Sequence, residues 1–325
     1  MGCGPAAAQV ASRAENGCFS RIYRYTGIDL FWFAPVEKMS LSTTATRPNS
    51  AQRFAFRLAL ACGSRAIQAR DRVLGRMPRR SEEMPGLSCT PLVIESGSSL
   101  LDAAYVEPAS GPIQASVLIC HGIGEVVRQW IPIQQLLAAR GVASLVFDYS
   151  GYGRSTGRPE AEQLERDAVS AFRRLRELAP PRPLGVLGFS LGSGIAAAVL
   201  SLMGVDRLVL CAGFPSFREA ARSVGVPPFL EWLVPPIWSA EASLRGSDVP
   251  VLVVHSTHDR LFPVRMAHDL VACCGPGSQS ILVPGLAHNE PFYKPTMTYW
   301  NPIADFLIDP VLPASSQVQE SVLAR

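Results

Sequence analysis

From residue 87 onward, short apolar runs alternate with longer amphipathic ones, and this alternation constrains the fold more tightly than any other feature. Eight runs, at 92–94, 101–106, 117–120, 143–147, 184–189, 208–211, 251–254 and 281–283, have the length and content of buried strands. Between the later ones lie helix-like stretches at 128–140, 161–178, 191–203 and 265–272, with a last one at 297–307. Two strands with a short connection followed by repeated βαβ units predict an α/β fold. Its sheet is doubly wound, mostly parallel and eight-stranded, with helices on both faces. Such sheets bind ligands beyond the carboxyl ends of their strands, so reactive residues are expected just after strands.

The 325 residues are 48% hydrophobic and 18% charged, which supplies a core and excludes wholesale disorder. No apolar stretch approaches the ~20 residues that span a bilayer. A net charge of +3 is too mild for nucleic acid as a partner. That average hides a division. Residues 1–85 carry 13 Lys and Arg against six Asp and Glu, a net of +7, whereas 86–325 carry 17 against 21, a net of −4. The expected organisation is a basic N-terminal extension (1–85), an α/β domain (86–313) with a cap segment at 213–247, and a tail (314–325). The eight cysteines show neither a C-x-x-C pair nor zinc-ligand spacing. Several sit in strand-like runs as small hydrophobes, which suggests a reducing, cytoplasmic setting.

Residues 1–85 do not read as a core-forming unit. Residues 49–80 are rich in Ala and Arg, with Asp71 their only acid, and Phe54, Leu58 and Ala61 fall at helical spacing among Arg53, Arg57, Arg65, Arg72 and Arg76. One reading is a basic amphipathic helix, either in peripheral contact with an anionic membrane through residues 49–80 or part of an organelle leader. The other is a poorly ordered extension translated from an upstream start codon, with Met39 as a second candidate start. Arg57 breaks the one run, 54–62, that would serve as the core of a secretory signal.

A G-x-S-x-G pattern occurs twice. Around Ser155 it lies in a loop five residues beyond a strand and is followed by Arg158-Pro159, which opposes an immediate helix. Around Ser190 (Gly188-Phe189-Ser190-Leu191-Gly192) it ends one strand and opens a Gly/Ala-rich helix. That strand–turn–helix context is the one a nucleophile elbow requires, so Ser190 is the expected nucleophile. A serine hydroxyl needs a histidine to take its proton and an acid to orient that histidine. Of the five histidines, His288 follows the last strand in a glycine-containing loop and is the expected base. Asp259 follows the strand at 251–254 and completes the order Ser190, Asp259, His288. Asp148 ends an earlier strand and reads as a loop pin, while Asp248 lies at the wrong strand end. The expected oxyanion donors are the amides of Leu191 and Ile123. Gly188 and Gly192 flank the serine. His121, Gly122 and Gly124 shape the loop that bears Ile123.

With HGIG (121–124), FDYSGYGRSTG (147–157), GFSLG (188–192), HSTHDRLFP (255–263) and GLAHN (285–289), residues 88–310 resemble the α/β-hydrolase superfamily. They look most like the branch of serine-aminopeptidase-like, monoacylglycerol-lipase-like and protein-depalmitoylase-like enzymes. The resemblance implies hydrolysis of an ester, thioester or amide of a small or acyl substrate through an acyl-enzyme, with no metal or organic cofactor. Two departures, His255-Ser256 where relatives often carry HG and Gly285-Leu286-Ala287-His288 where they carry GxGH, blur the substrate assignment. An acyltransferase with the same triad and a non-catalytic binder on this fold are the alternatives. The cap's Trp232, Trp238 and prolines read either as lining for an apolar acyl group or as the cap's own core.

Overall fold

The computed structural model describes residues 47–75, 89–179 and 183–309. Cys3, Cys18, Met39, Arg76 and the tail at 314–325 lie outside the described residues. All eight expected strands form: β1 (Cys89–Ser96), β2 (Ser99–Val106), β3 (Ala115–Cys120), β4 (Val142–Phe147), β5 (Leu184–Phe189), β6 (Arg207–Cys211), β7 (Val251–Ser256) and β8 (Gln279–Val283). They make one sheet in the order β1-β2-β4-β3-β5-β6-β7-β8, in which β2 alone runs against its neighbours. Every residue of β3, β4 and β7 is buried, as a sheet covered on both faces demands. Edge strand β1 is longer than its apolar run because pairing with β2 extends the ladder to Cys89. Its exposed Pro91 sits where no outer neighbour needs the missing N–H.

The described helices are α1 (Ser50–Val73), α2 (Val127–Ala138), α3 (Ala161–Leu178), α4 (Leu191–Ala198), α5 (Leu200–Met203), α6 (Phe217–Ser223), α7 (Ala240–Leu244), α8 (Arg265–Cys273), α9 (Glu290–Tyr293) and α10 (Met297–Ile308). On one face, Trp130, Ile133 and Leu137 of α2 pack with Trp300, Ile303 and Phe306 of α10 over the sheet. On the other face lie α3, α4 and α8. The single helix expected at 191–203 is broken at Val199, which is wholly buried and leaves helical backbone (φ −101°, ψ 5°). The pairings Cys120–Gly188, Phe189–Cys211 and His255–Leu282 bring the carboxyl ends of β3 and β5 to β8 onto one edge. The loops bearing Ile123, Ser190, Asp259 and His288 all leave from that edge.

Within the segment read as standing outside the core, residues 50–73 form α1. Its start is a reciprocal cap: the Asn49 side chain accepts from the Gln52 amide (2.9 Å), and the Gln52 side chain accepts from the Asn49 amide (3.0 Å). Phe56 and Leu60 are buried, and the Phe56 ring meets Phe217 and Trp238 at 5.3 and 5.6 Å. The stripe expected to be apolar, Phe54, Leu58 and Ala61, is not the seated one: Phe54 is 63% exposed and Leu58 52%. The helix carries two apolar stripes, and only the one holding Phe56 finds aromatic partners on the domain.

Candidate active site

The turn from β5 into α4 holds Ser190 at φ 51°, ψ −116°, a conformation that L-residues seldom adopt. Close approach of backbone explains the flanking glycines. A Cβ on Gly192 would stand 1.9 Å from the Cys120 carbonyl oxygen, and one on Gly188 would stand 2.5 Å from the Gly192 carbonyl oxygen. Ser190 therefore projects at the start of α4, where the amides of the first residues lack i−4 partners within the helix and the helix end carries partial positive charge.

The Ser190 hydroxyl donates to His288 Nε2 at 2.8 Å, and His288 Nδ1–H donates to Asp259 Oδ2 at 2.6 Å. Asp259 Oδ1 accepts the amides of Leu261 and Phe262, each at 2.8 Å. Burial opposes ionisation of Asp259, but the hydrogen bond and charge of His288 and the Phe262 amide outweigh it and hold the carboxyl below its ordinary range. Phe262 meets the His288 ring edge-on at 5.0 Å, with Phe189 at 6.0 Å. Three residues separated by 98 and 29 positions thus form one hydrogen-bonded chain, which can move a proton off a serine and stabilise the charge left on the imidazole.

The residues set aside by sequence do structural work. Ser155 donates to the Asp148 carbonyl (2.6 Å) and accepts from the Asp102 amide (2.9 Å). Asp148 accepts the Val127 amide at 2.8 Å, fastening the start of α2. His255 donates through Nε2 to the Phe262 carbonyl (2.8 Å), and His258 accepts from the Gly285 amide (3.1 Å). His268 and Asp248 are exposed.

The loop after β3 is braced from below by a residue that sequence reasoning passed over. Glu125 is 3% exposed, and its Oε2 accepts both the Gly122 amide (2.7 Å) and Trp130 Nε1–H (2.9 Å). Burial pushes its carboxyl up to about 7, against the pull of His121 and these two donors. His121 donates from Nδ1 to the Gly122 carbonyl (2.8 Å), as expected of a loop tether.

From above, α1 lies on the same loop. At Gly63 a Cβ would come 2.9 Å from the Ile123 side chain, and at Gly124 one would come 2.8 Å from Ile67. At the far end of α1, the fully buried Asp71 accepts from Tyr293 Oη (2.9 Å) and Gln129 Nε2 (3.2 Å), with Arg70 beside it. Tyr293 closes the helix that follows His288, and Gln129 sits in the helix that follows the 121–125 loop. The only signal in sequence for this clasp is that Asp71 is the sole acid in a basic stretch. In the segment 213–247, Trp238 is buried and joins Phe56 and Phe217, whereas Phe229 and Trp232 are 75% and 60% exposed. Trp238 thus belongs to a buried aromatic cluster, and the Trp232 side chain stands mostly exposed.

Residues 115–233 match the profile of the family described as alpha/beta hydrolase fold. An uncharacterized protein of Mycobacterium tuberculosis is 29% identical over 222 residues, 67% of this chain and 78% of that protein. The lysophosphatidylserine lipase ABHD12 of Danio rerio is 25% identical over 158 residues, covering 43% of this chain and 41% of the lipase. Among solved structures, an esterase from Pyrococcus furiosus shares the fold with a TM-score of 0.58 at 16% identity, over 71% of this chain and 94% of the esterase. The chain has the α/β-hydrolase fold. Esterases and lipases are among the proteins it resembles. Among the described residues, no helix is long and apolar enough to cross a membrane, and no group of three or more His, Cys, Asp or Glu is placed to hold a metal ion.

Proposed function

We propose that this protein is a serine hydrolase that cleaves a carboxylic ester or thioester of an acyl substrate through an acyl-enzyme on Ser190. The observation that carries the reading is the Ser190–His288–Asp259 chain at 2.8 and 2.6 Å. His288 Nε2 takes the hydroxyl proton as Oγ attacks the carbonyl carbon. The resulting oxyanion is held by the amides of Leu191, first residue of α4, and Ile123, in the loop braced by Glu125. On collapse, the leaving alkoxide or thiolate takes the proton from His288. Water, deprotonated by the same nitrogen, then releases the acid and restores Ser190. Asp259 keeps the imidazole in the tautomer with its proton on Nδ1 and stabilises the imidazolium. The lipase activity in the name of the Danio rerio relative favours an acyl chain as the group transferred to Ser190.

The test is labelling by a fluorophosphonate, with turnover of p-nitrophenyl esters of graded acyl length. Adduct on the peptide carrying Ser190 rather than Ser155 is expected, with a loss in Ser190→Ala of about 10⁴-fold or more in kcat. Equal turnover by wild type and Ser190→Ala would overturn the assignment.

A further inference from the structure

We propose that the outer face of α1 docks this protein on an anionic lipid surface. The helix is seated through Phe56, Leu60 and Asp71. At about 100° per residue, Phe54, Leu58, Arg65 and Arg72 fall in one stripe, turned away from that seated face. All four are exposed. No hydrogen bond or ion pair engages the Arg65 or Arg72 side chain among the described residues. Next to the start of α1, where Gln52 donates to the Trp232 carbonyl (2.9 Å), the 3₁₀ helix Pro228–Leu233 exposes Phe229 and Trp232.

The chemistry of this face selects its occupant. Asp71, the one acid of α1, is wholly buried, so the outer face carries no carboxylate, and its apolar and cationic groups share it with the neutral Ser50 and Gln68. Of the nearby carboxylates, Glu160 is paired with Arg57 (3.1 Å) and Glu231 with Arg222 (2.6 Å). The basic excess of residues 1–85, a net of +7, adds attraction of the same sign. Exposed Phe and Leu beside unpaired Arg on one helix face is the combination that settles at the boundary of acyl chains and anionic headgroups. Because α1 also rests on the Ile123 loop, docking by this face would bring the site described above toward the lipid. The docking itself does not depend on the catalytic reading.

The test is flotation of the full chain with phosphatidylcholine vesicles, with and without phosphatidylglycerol, at low and high salt. Binding to the anionic vesicles is expected, weakened by salt and at least about tenfold lower on phosphatidylcholine alone. Phe54→Ser with Leu58→Ser, and separately Arg65→Glu with Arg72→Glu, are each expected to lower the bound fraction about tenfold, with melting temperature and p-nitrophenyl butyrate turnover unchanged. Ser190→Ala should float like wild type, so failure of docking and failure of the hydrolase reading are told apart. The proposal is overturned if the full chain floats with neither vesicle, or if both double variants float like wild type. It is equally overturned if sedimentation shows a dimer that the Phe54/Leu58 variant dissociates while flotation is unaltered, which would make a second copy the occupant. Flotation only after residues 1–46 are removed would overturn it too, by making that segment the cover.

Discussion

Ser190 keeps its positive φ because the residues around it leave no alternative: Gly188 and Gly192 admit backbone where any Cβ would collide. Gly192→Ala is therefore expected to cost more than about 4 kcal/mol, because the atom it would meet is a fixed carbonyl rather than a flexible side-chain tip. At Gly285, φ is +82° but nothing lies within 4 Å. Alanine there should cost only about 1–2 kcal/mol of backbone strain. Thermal melting of the two variants measures the contrast, and equal melting temperatures would contradict the steric account. Among the site residues, Ser190 was legible because its signal is local, a strand, a five-residue motif and a helix in succession. Glu125 was not, since its role depends on Trp130 Nε1 and the Gly122 amide turning toward one oxygen.

At the level of elements, α1 ties together parts of the molecule that its sequence gave no reason to connect. Phe56 enters the aromatic cluster of Phe217 and Trp238, Gly63 and Ile67 meet the Ile123 loop, and Asp71 holds the helices that follow that loop and His288. Removing the Asp71 carboxylate leaves Tyr293 Oη and the Gln129 amide without their shared acceptor. Asp71→Ala should lower stability by about 3 kcal/mol, as loss of one partner from a buried charged cluster does. The loss should appear first as faster proteolytic cleavage within residues 50–73 under native conditions, because this contact ends the helix rather than the core. Cleavage at the wild-type rate would mean that the apolar contacts of Phe56 and Leu60 suffice. Periodicity correctly gave a helix with a Phe54–Leu58–Ala61 stripe. It could not say which of two stripes faces inward, since that depends on rings at 217 and 238.

At the scale of the whole molecule, two buried glutamates give stability an unusual pH dependence. Burial pushes Glu125 and Glu165 up to about 7 each, although Trp238 Nε1–H donates to Glu165 at 3.0 Å. A carboxyl with a raised folded-state pKa binds more protons folded than unfolded, so stability falls as pH rises from about 4.5 through about 7 and then levels. Each shift corresponds to roughly 3 kcal/mol. Asp259 acts oppositely, with its lowered pKa, and costs stability only as pH falls below its unfolded value. Urea unfolding should therefore show wild type more stable near pH 5 than near pH 8, with the gap narrowed in Glu125→Gln/Glu165→Gln. A gap undiminished in the double variant would assign the effect to other groups.

The sequence by itself determined the sheet and the edge along which loops gather, and it set Ser190, Asp259 and His288 on that edge, because strand alternation and loop position are written in neighbouring residues. Only the tertiary structure decided that residues 50–73 lie over the site. Asp71 and Tyr293 stand 222 positions apart, and a buried charge finds its donors only when the chain has folded around it.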